Sequence, residues 1–422
     1  MEATRIRLAE GVHLTYLPAR KFKTSLLSAQ FVTPLRRETA GANALLAAVL
    51  RRGTVSCPDM GALSAKMDNL YDASIDYTVR KKGENQCVGF VASFIDDRYA
   101  PGGERLLEPA ATLLGELICD PVTYHGRFVP EYFESEKTNL LEAIRSLIND
   151  KRDWADSRLL RALCDGEAYA VPRLGDEETV DKLQALKVYT QYRDLISTAP
   201  LEIIYSGSAD LERVKQALAA AFATLPREEV RVISTAAPHV CRESVQHVED
   251  VLDVTQGKLG MGFSCGSDDM PALLMGNTLF GGSSNSKLFL NVREKLSLCY
   301  YASSLYHRQK GLITVSSGIE FQNYQRAYDE IMAQMEAVQK GELEDWELEG
   351  ARSTLLNNYA TVGDSQGKLE NFYLGQAATG QHETPADLAR AIQDMTAERI
   401  CRAMSTVKLD TVYFLKGKEV EA

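Results

Sequence analysis

The sequence predicts an α+β protein of two homologous halves, each a mainly antiparallel sheet packed with helices on one face. Three observations lead there. Runs with the two-residue alternation of strands are grouped with long segments of helical spacing, not interleaved one for one. The same order of elements occurs twice along the 422 residues. Between the copies, Pro226, a charged stretch and Pro238 form the best linker, which places the domains at 1–225 and 226–422.

The first half opens on a hairpin, Arg5 to Leu8 and Val12 to Leu17 around Glu10-Gly11, and a further extended run spans Thr24 to Val32. Gly41 to Leu50 reads as a helix stopped by Gly53, and Pro58 begins another carrying Leu63, Met67 and Leu70. Ile75, Tyr77 and Val79 alternate with polar residues, and Cys87 to Phe94 follows the Gly83-Glu84-Asn85 turn as its antiparallel partner. Leu106 to Leu117 and Glu131 to Asn149 keep helical spacing; Leu201 to Ser206 is a strand, and Asp210 to Leu225 a helix.

The second half repeats this order: strand Val254 to Phe263, helix Met270 to Phe280, then Val292 to Ser304 with Leu312 to Ser317 as the middle strand pair. Helices Arg326 to Val338 and Asp345 to Tyr359 and a closing strand Thr411 to Leu415 complete it. Phe31 and Phe263 precede the first helix of each half; Gly53 and Gly281 follow it.

A 45% hydrophobic, 25% charged composition is that of a folded globular chain. Net charge is −11 with no basic stripe, so nucleic acid is not expected as a partner. No window is apolar enough for a membrane helix, and the start, Met-Glu-Ala-Thr-Arg-Ile-Arg-Leu, lacks the core of a signal peptide. The expectation is a cytoplasmic protein with no membrane partner. The eight cysteines show no CxxC spacing and read as reduced. The six histidines are isolated; His239 and His247, with Cys241 between them, are read as solvated loop residues, with a metal site there as the alternative, so no metal is expected.

Gly-Ala-Asn-Ala-Leu-Leu-Ala-Ala-Val-Leu-Arg-Arg-Gly-Thr (41–54) resembles the zinc helix of the pitrilysin/insulinase-type (inverzincin) peptidases, which include the mitochondrial processing peptidases. In active members that helix carries H-x-x-E-H. Residues four apart share a helix face, so two imidazoles grip one ion while the glutamate activates its water. Here those positions are Ala44, Ala47 and Ala48. The third ligand, a glutamate in the later long helix, falls on Ala143, with Glu136 matching that stretch's acidic start and an insertion near Asp96 to Glu104 lengthening the spacing. Alanine has no lone pair to offer a metal.

Gly281-Gly282-Ser283-Ser284 through Leu288-Phe289, followed by Val292-Arg293-Glu294-Lys295 and Leu298-Cys299-Tyr300, resembles the family's C-terminal substrate-binding element. The resemblance implies that Arg293 and Tyr300 contact peptide, a guanidinium fork and a phenol being suited to peptide carbonyls or carboxylates. From the bare residues, an ordinary Arg293–Glu294 pair and a half-core Tyr300 remain open. The glycine-serine loop resembles a flexible rim near the peptide site, with a simple turn as the alternative; it lacks the P-loop lysine pattern.

The resemblance implies pairing like a clamshell with a homologous zinc-motif chain, or with itself as a dimer, around an unfolded polypeptide. Zinc is then expected only in the partner subunit, and this chain carries no cofactor. The leading expectation is a catalytically inactive, substrate-binding subunit of a heterodimeric zinc peptidase. The alternatives are a scaffold that binds no peptide and a peptide-binding homodimer with no hydrolytic role.

Overall fold

The computed structural model describes residues 3–233 and 238–418. Thirteen strands are present among them. They are β1 (Thr4–Ala9), β2 (Val12–Pro18), β3 (Thr24–Pro34), β4 (Ser74–Lys82), β5 (Asn85–Ile95), the short hairpin β6 (Thr123–Tyr124) and β7 (Arg127–Phe128), β8 (Leu201–Gly207), β9 (Gln246–Leu252), β10 (Gly257–Cys265), β11 (Cys299–His307), β12 (Leu312–Ile319) and β13 (Val407–Gly417).

Two compact units result, and neither is continuous in sequence. One comprises Met1–Arg145, Val171–Thr235 and Gly363–His382; the other comprises Ser146–Ala170, Ala236–Val362 and Glu383–Ala422. The division therefore differs from a split at 225/226. Ser146–Ala170 and Gly363–His382 each pack into the unit of the opposite half.

The sheet of the first unit runs β1-β2-β8-β3-β5-β4, antiparallel except for the parallel β2–β8 pair. The second runs β11-β12-β10-β13-β9, antiparallel except for β13–β9. Read from its β4 or β11 edge, each sheet has the same order through one parallel pair, β8–β2 or β13–β9, beyond which the first sheet adds the antiparallel β1. That is the duplication expected from the order of elements.

In each central strand the residue alternation sorts the two faces. Leu27, Ala29 and Phe31 of β3 join the main core with the helices Arg37–Leu50 and Leu107–Cys119, while buried Ser28 points to Glu370 of the helix Gln366–Ala378. In β10, Leu259, Met261 and Phe263 face the core. Gly260 and Gly262 lie under Leu159 and Leu163 of the helix Lys151–Leu163, so closely that a Cβ would come within 3.1 and 2.7 Å of them. Strand glycines here admit a close helix. So each sheet carries its main helices on one face and one further helix, contributed by the opposite half, on the other.

Two expected elements are redrawn, and the expected insertion takes a local form. Val292 to Ser304 is not one strand: Leu288–Lys295 is a π-helical segment, Ser297 turns at φ 49°, and only then does β11 begin. The strand expected from Val254 begins at Gly257, preceded by the separate β9. Asp96 to Glu104, expected as an insertion, forms two short 3-10 turns, Asp97–Tyr99 and Pro101–Gly103.

Candidate functional site

The helix Arg37–Leu50 is buried continuously from Ala40 onward. Alanines let neighbours approach it closely. At one contact the loop residue Gly175, at φ +77°, backs onto Gly41, and a Cβ there would lie 2.7 Å from the Gly41 backbone. Asn43 stands at the centre of a buried amide network: it donates to Gln86 Oε1 (2.9 Å) and accepts from Gln191 Nε2 (3.0 Å). Gln86 in turn donates to the carbonyls of Ala40 (3.0 Å) and Arg173 (2.6 Å). Helix, strand β5 and the Arg173–Leu174 loop are thereby fixed to one another.

On the face one turn apart, Ala44 and Ala48 open onto a cleft of about 750 Å³, and Ala143 of the helix Pro130–Ser146 lines the same cleft. The three positions are thus brought together. Ala47 instead lies fully buried against the core void lined by Phe31, Leu50 and Phe90. Methyl groups supply no ligand. The acid lining the cleft, Glu136, is held by Arg52 at 3.1 Å. A zinc-activated water needs three protein ligands around an open position, and this donor set does not fit it.

What lines the cleft instead is cationic: Arg80, Lys81, Lys82 and Arg173 accompany Glu136. The local charge opposes the chain's net −11. Arg80 is committed to Glu370 by paired bonds of 2.6 and 2.7 Å, and Lys82 donates to Asn371 at 2.7 Å. The wall is β4, the edge strand of its sheet. Arg51 donates to its Ile75 carbonyl (2.5 Å) and Arg173 to its Val79 carbonyl (3.1 Å), so part of the open edge is already capped. Burial, then the Glu136 charge, raises the Tyr77 hydroxyl above its ordinary pKa.

In the second unit, Arg293 and Tyr300 come together at the β11 edge. Arg293 Nε donates to the Tyr300 carbonyl (3.1 Å), its guanidinium lies 4.6 Å from the Phe289 ring, and it pairs with Glu294 at 3.3 Å. The Tyr300 side chain is exposed and donates its hydroxyl to Glu320 (2.8 Å), and that hydrogen bond, then the carboxylate's charge, raises the phenol's pKa. The glycine-serine loop is less free than a rim loop. Gly281 is buried, its carbonyl accepts from Ser304 N (2.8 Å), and a Cβ would sit 2.7 Å from Ser304 Oγ. Gly281 and Gly282 both donate to Asn277, closing the helix Met270–Phe280, while Ser283 and Ser284 carry the turn outward. The simple turn describes Gly281 better than flexibility does.

One reading of the histidines is corrected. His239 is buried between two carboxylates, not solvated.

Residues 182–355 match the family described as the peptidase M16 inactive domain. The chain is similar to the probable inactive metalloprotease YmfF of Bacillus subtilis, 34% identical over 416 residues, 97% of this chain and 96% of that one. It is also similar, at 27% identity over 54% of its length and 52% of the other's, to an uncharacterized zinc protease of Streptomyces coelicolor. Among solved structures, a conserved protein from Enterococcus faecalis V583 superposes with TM-score 0.88 at 26% identity, covering both chains fully. The peptidase M16 inactive domain from Pseudomonas fluorescens shares the fold at TM-score 0.79 and 17% identity, over all of this chain and 99% of that one.

Proposed function

Because this chain belongs to the M16, pitrilysin-type peptidase family as a member lacking the zinc motif, we propose that it is a non-catalytic subunit that holds unfolded peptide for a zinc-bearing homologous partner. The observation that carries the reading is the cleft at the degenerate site: its ligand positions are methyl groups, yet about 750 Å³ of space beside an edge strand is kept. Drift toward a plain core would have filled that space with larger side chains.

The lining supports a side-chain mode of capture. With two carbonyls of β4 capped by arginines, an added strand would have to displace them. The cationic groups at Lys81, Lys82 and Arg173, over a floor of Ala44, Ala48, Leu140 and Ala143, favour peptides with acidic and apolar side chains. Arg293 and Tyr300 are the second set of peptide contacts, on an exposed edge of the other unit.

The test is anisotropy of labelled unfolded peptides, acidic against basic, with the purified chain and with Lys81→Glu and Arg293→Ala variants. Preferential binding of acidic peptides, weakened by either substitution, supports the reading. Binding of neither peptide by the wild-type chain favours a scaffold instead. The intramolecular partners of both side chains already lend that alternative one observation. A homodimer without a hydrolytic partner would show the same binding but no complementation of a zinc-bearing homologue.

A further inference from the structure

We propose that Cys164, Glu167 and His239 form a zinc-binding site in the second unit, outside the degenerate peptidase centre. One ligating atom from each, Sγ, a carboxylate oxygen and a ring nitrogen, lies within 4.8 Å of the other two. Their places follow from local structure. The helix Lys151–Leu163 ends at Cys164, whose carbonyl accepts from Glu167 N at 2.9 Å, so one turn presents thiol and carboxylate together. His239 arrives from the segment after the linker, its backbone N–H bonded to the Lys310 carbonyl at 3.3 Å.

The imidazole makes the case. Its Nε2 lies 3.2 Å from Asp410 Oδ2, and that carboxylate also accepts from the Arg242 backbone N–H (2.8 Å) and from Thr411 Oγ1 (2.7 Å). A carboxylate so fixed can accept from Nε2–H, the tautomer that leaves the Nδ1 lone pair facing forward. Nδ1 faces Glu167 Oε1 at 2.6 Å. Either a ring N–H or a metal ion bridges that contact.

The donor set argues for the metal. Carboxylate–histidine–metal is the usual way a ligating imidazole is oriented from behind, and thiolate, imidazole and carboxylate together suit zinc. A zinc ion at about 2.0–2.3 Å from each ligand spreads the three atoms to roughly 3.3–3.6 Å apart, a small movement from the present spacing. Binding releases the Cys164 thiol proton to solvent, with no change of oxidation state. Lys310 engages the other Glu167 oxygen at 2.6 Å, which leaves Oε1 for the ion. Cys164 is fully buried while the Glu167 side chain is 26% exposed, so the fourth position, a water, faces outward on the glutamate side. The ion's role is structural: it ties the chain after the linker to the helix Lys151–Leu163.

The experiment is metal analysis and cobalt(II) titration of the full chain under a phosphine reductant. One equivalent of zinc and a thiolate-to-cobalt charge-transfer band are expected, both lost in Cys164→Ser and retained in Cys241→Ser. Asp410→Asn should weaken zinc affinity by about 10–100-fold without abolishing it. Should Cys164→Ser fail to fold, X-ray absorption on the zinc-loaded wild type decides: one sulfur neighbour with the rest nitrogen and oxygen supports the site. No bound metal, a cobalt band that survives Cys164→Ser, or a metal shell without sulfur overturns it.

Discussion

Replacing Arg80 with alanine should destabilise the first unit far more than its position on a cleft wall suggests. Its two bonds to Glu370, 2.6 and 2.7 Å, neutralise a carboxylate that is 3% exposed and otherwise accepts from Ser28 Oγ at 2.7 Å. Burial depresses the Arg80 pKa, but the hydrogen bonds and charge of Glu370 more than offset this, so the guanidinium stays charged. Opposite charges about 4 Å apart at an effective dielectric of 20 attract by about 4 kcal/mol. Removing one partner of such a pair costs about 3–5 kcal/mol, because the other charge stays buried alone. The double change Arg80→Leu/Glu370→Leu should recover most of that loss. The assay is native-state hydrogen exchange at the amides of β3 and β8, which lie against the helix Gln366–Ala378 and isolate this unit from the other's unfolding. A loss below about 1 kcal/mol for Arg80→Ala, or a double variant as damaged as the single one, would refute the reasoning.

The Arg213 fork, with bonds of 2.8 and 2.7 Å, holds the Glu108 carboxyl down at about 2 from its ordinary 4.5. A depressed carboxyl stabilises the fold above pH 4.5 and loses that contribution as pH falls toward 2. After discounting for its partial exposure this is roughly 1–2 kcal/mol, and Glu108→Gln should flatten acid unfolding over that window. An unchanged acid profile would contradict the assignment. Burial pushes the Cys87 and Cys265 thiols up to about 12, so neither should alkylate in the native protein at pH ~8, whereas the partly exposed Cys401 should. Modification of Cys87 before unfolding, seen by peptide mass mapping, would count against the core packing. Gly281→Ala should cost about 1–3 kcal/mol, since its Cβ would lie 2.8 Å from Ser304 N; a neutral effect in urea unfolding would mean the β11 edge yields freely.

Much of the fold is legible in the sequence because its signals are local. Alternation at Ile75–Val79, the apolar stripe from Leu106 to Leu117 and the glycine stops at Gly53 and Gly281 each mark an element where the structure has one. The exchanged helices are hidden for a physical reason. Gln366–Ala378 buries Gln366 and Glu370 against hydrogen-bonding partners, so it shows no apolar stripe. Lys151–Leu163 is more polar still, and its signal is the cap Asp150, which accepts from Arg152 N and Asp153 N. At the site, the spacing of Ala44, Ala48 and Ala143 is readable once the family pattern is laid over it. Arg173 and Lys82 are not, because a loop and a hairpin bring them there. The Cys164–Glu167–His239 cluster is invisible for a like reason: His239 comes from a segment far in sequence from the turn that holds Cys164 and Glu167.

The central claim is a peptidase fold that keeps a peptide cleft without the means to cut. It is tested most directly by peptide cleavage in the presence of zinc, with the purified chain alone and then mixed with a zinc-motif homologue from the same source. The account predicts no cleavage by the chain alone, and cleavage in the mixture that Arg293→Ala weakens. Zinc-dependent cleavage by the chain alone, surviving Cys164→Ser, would contradict it.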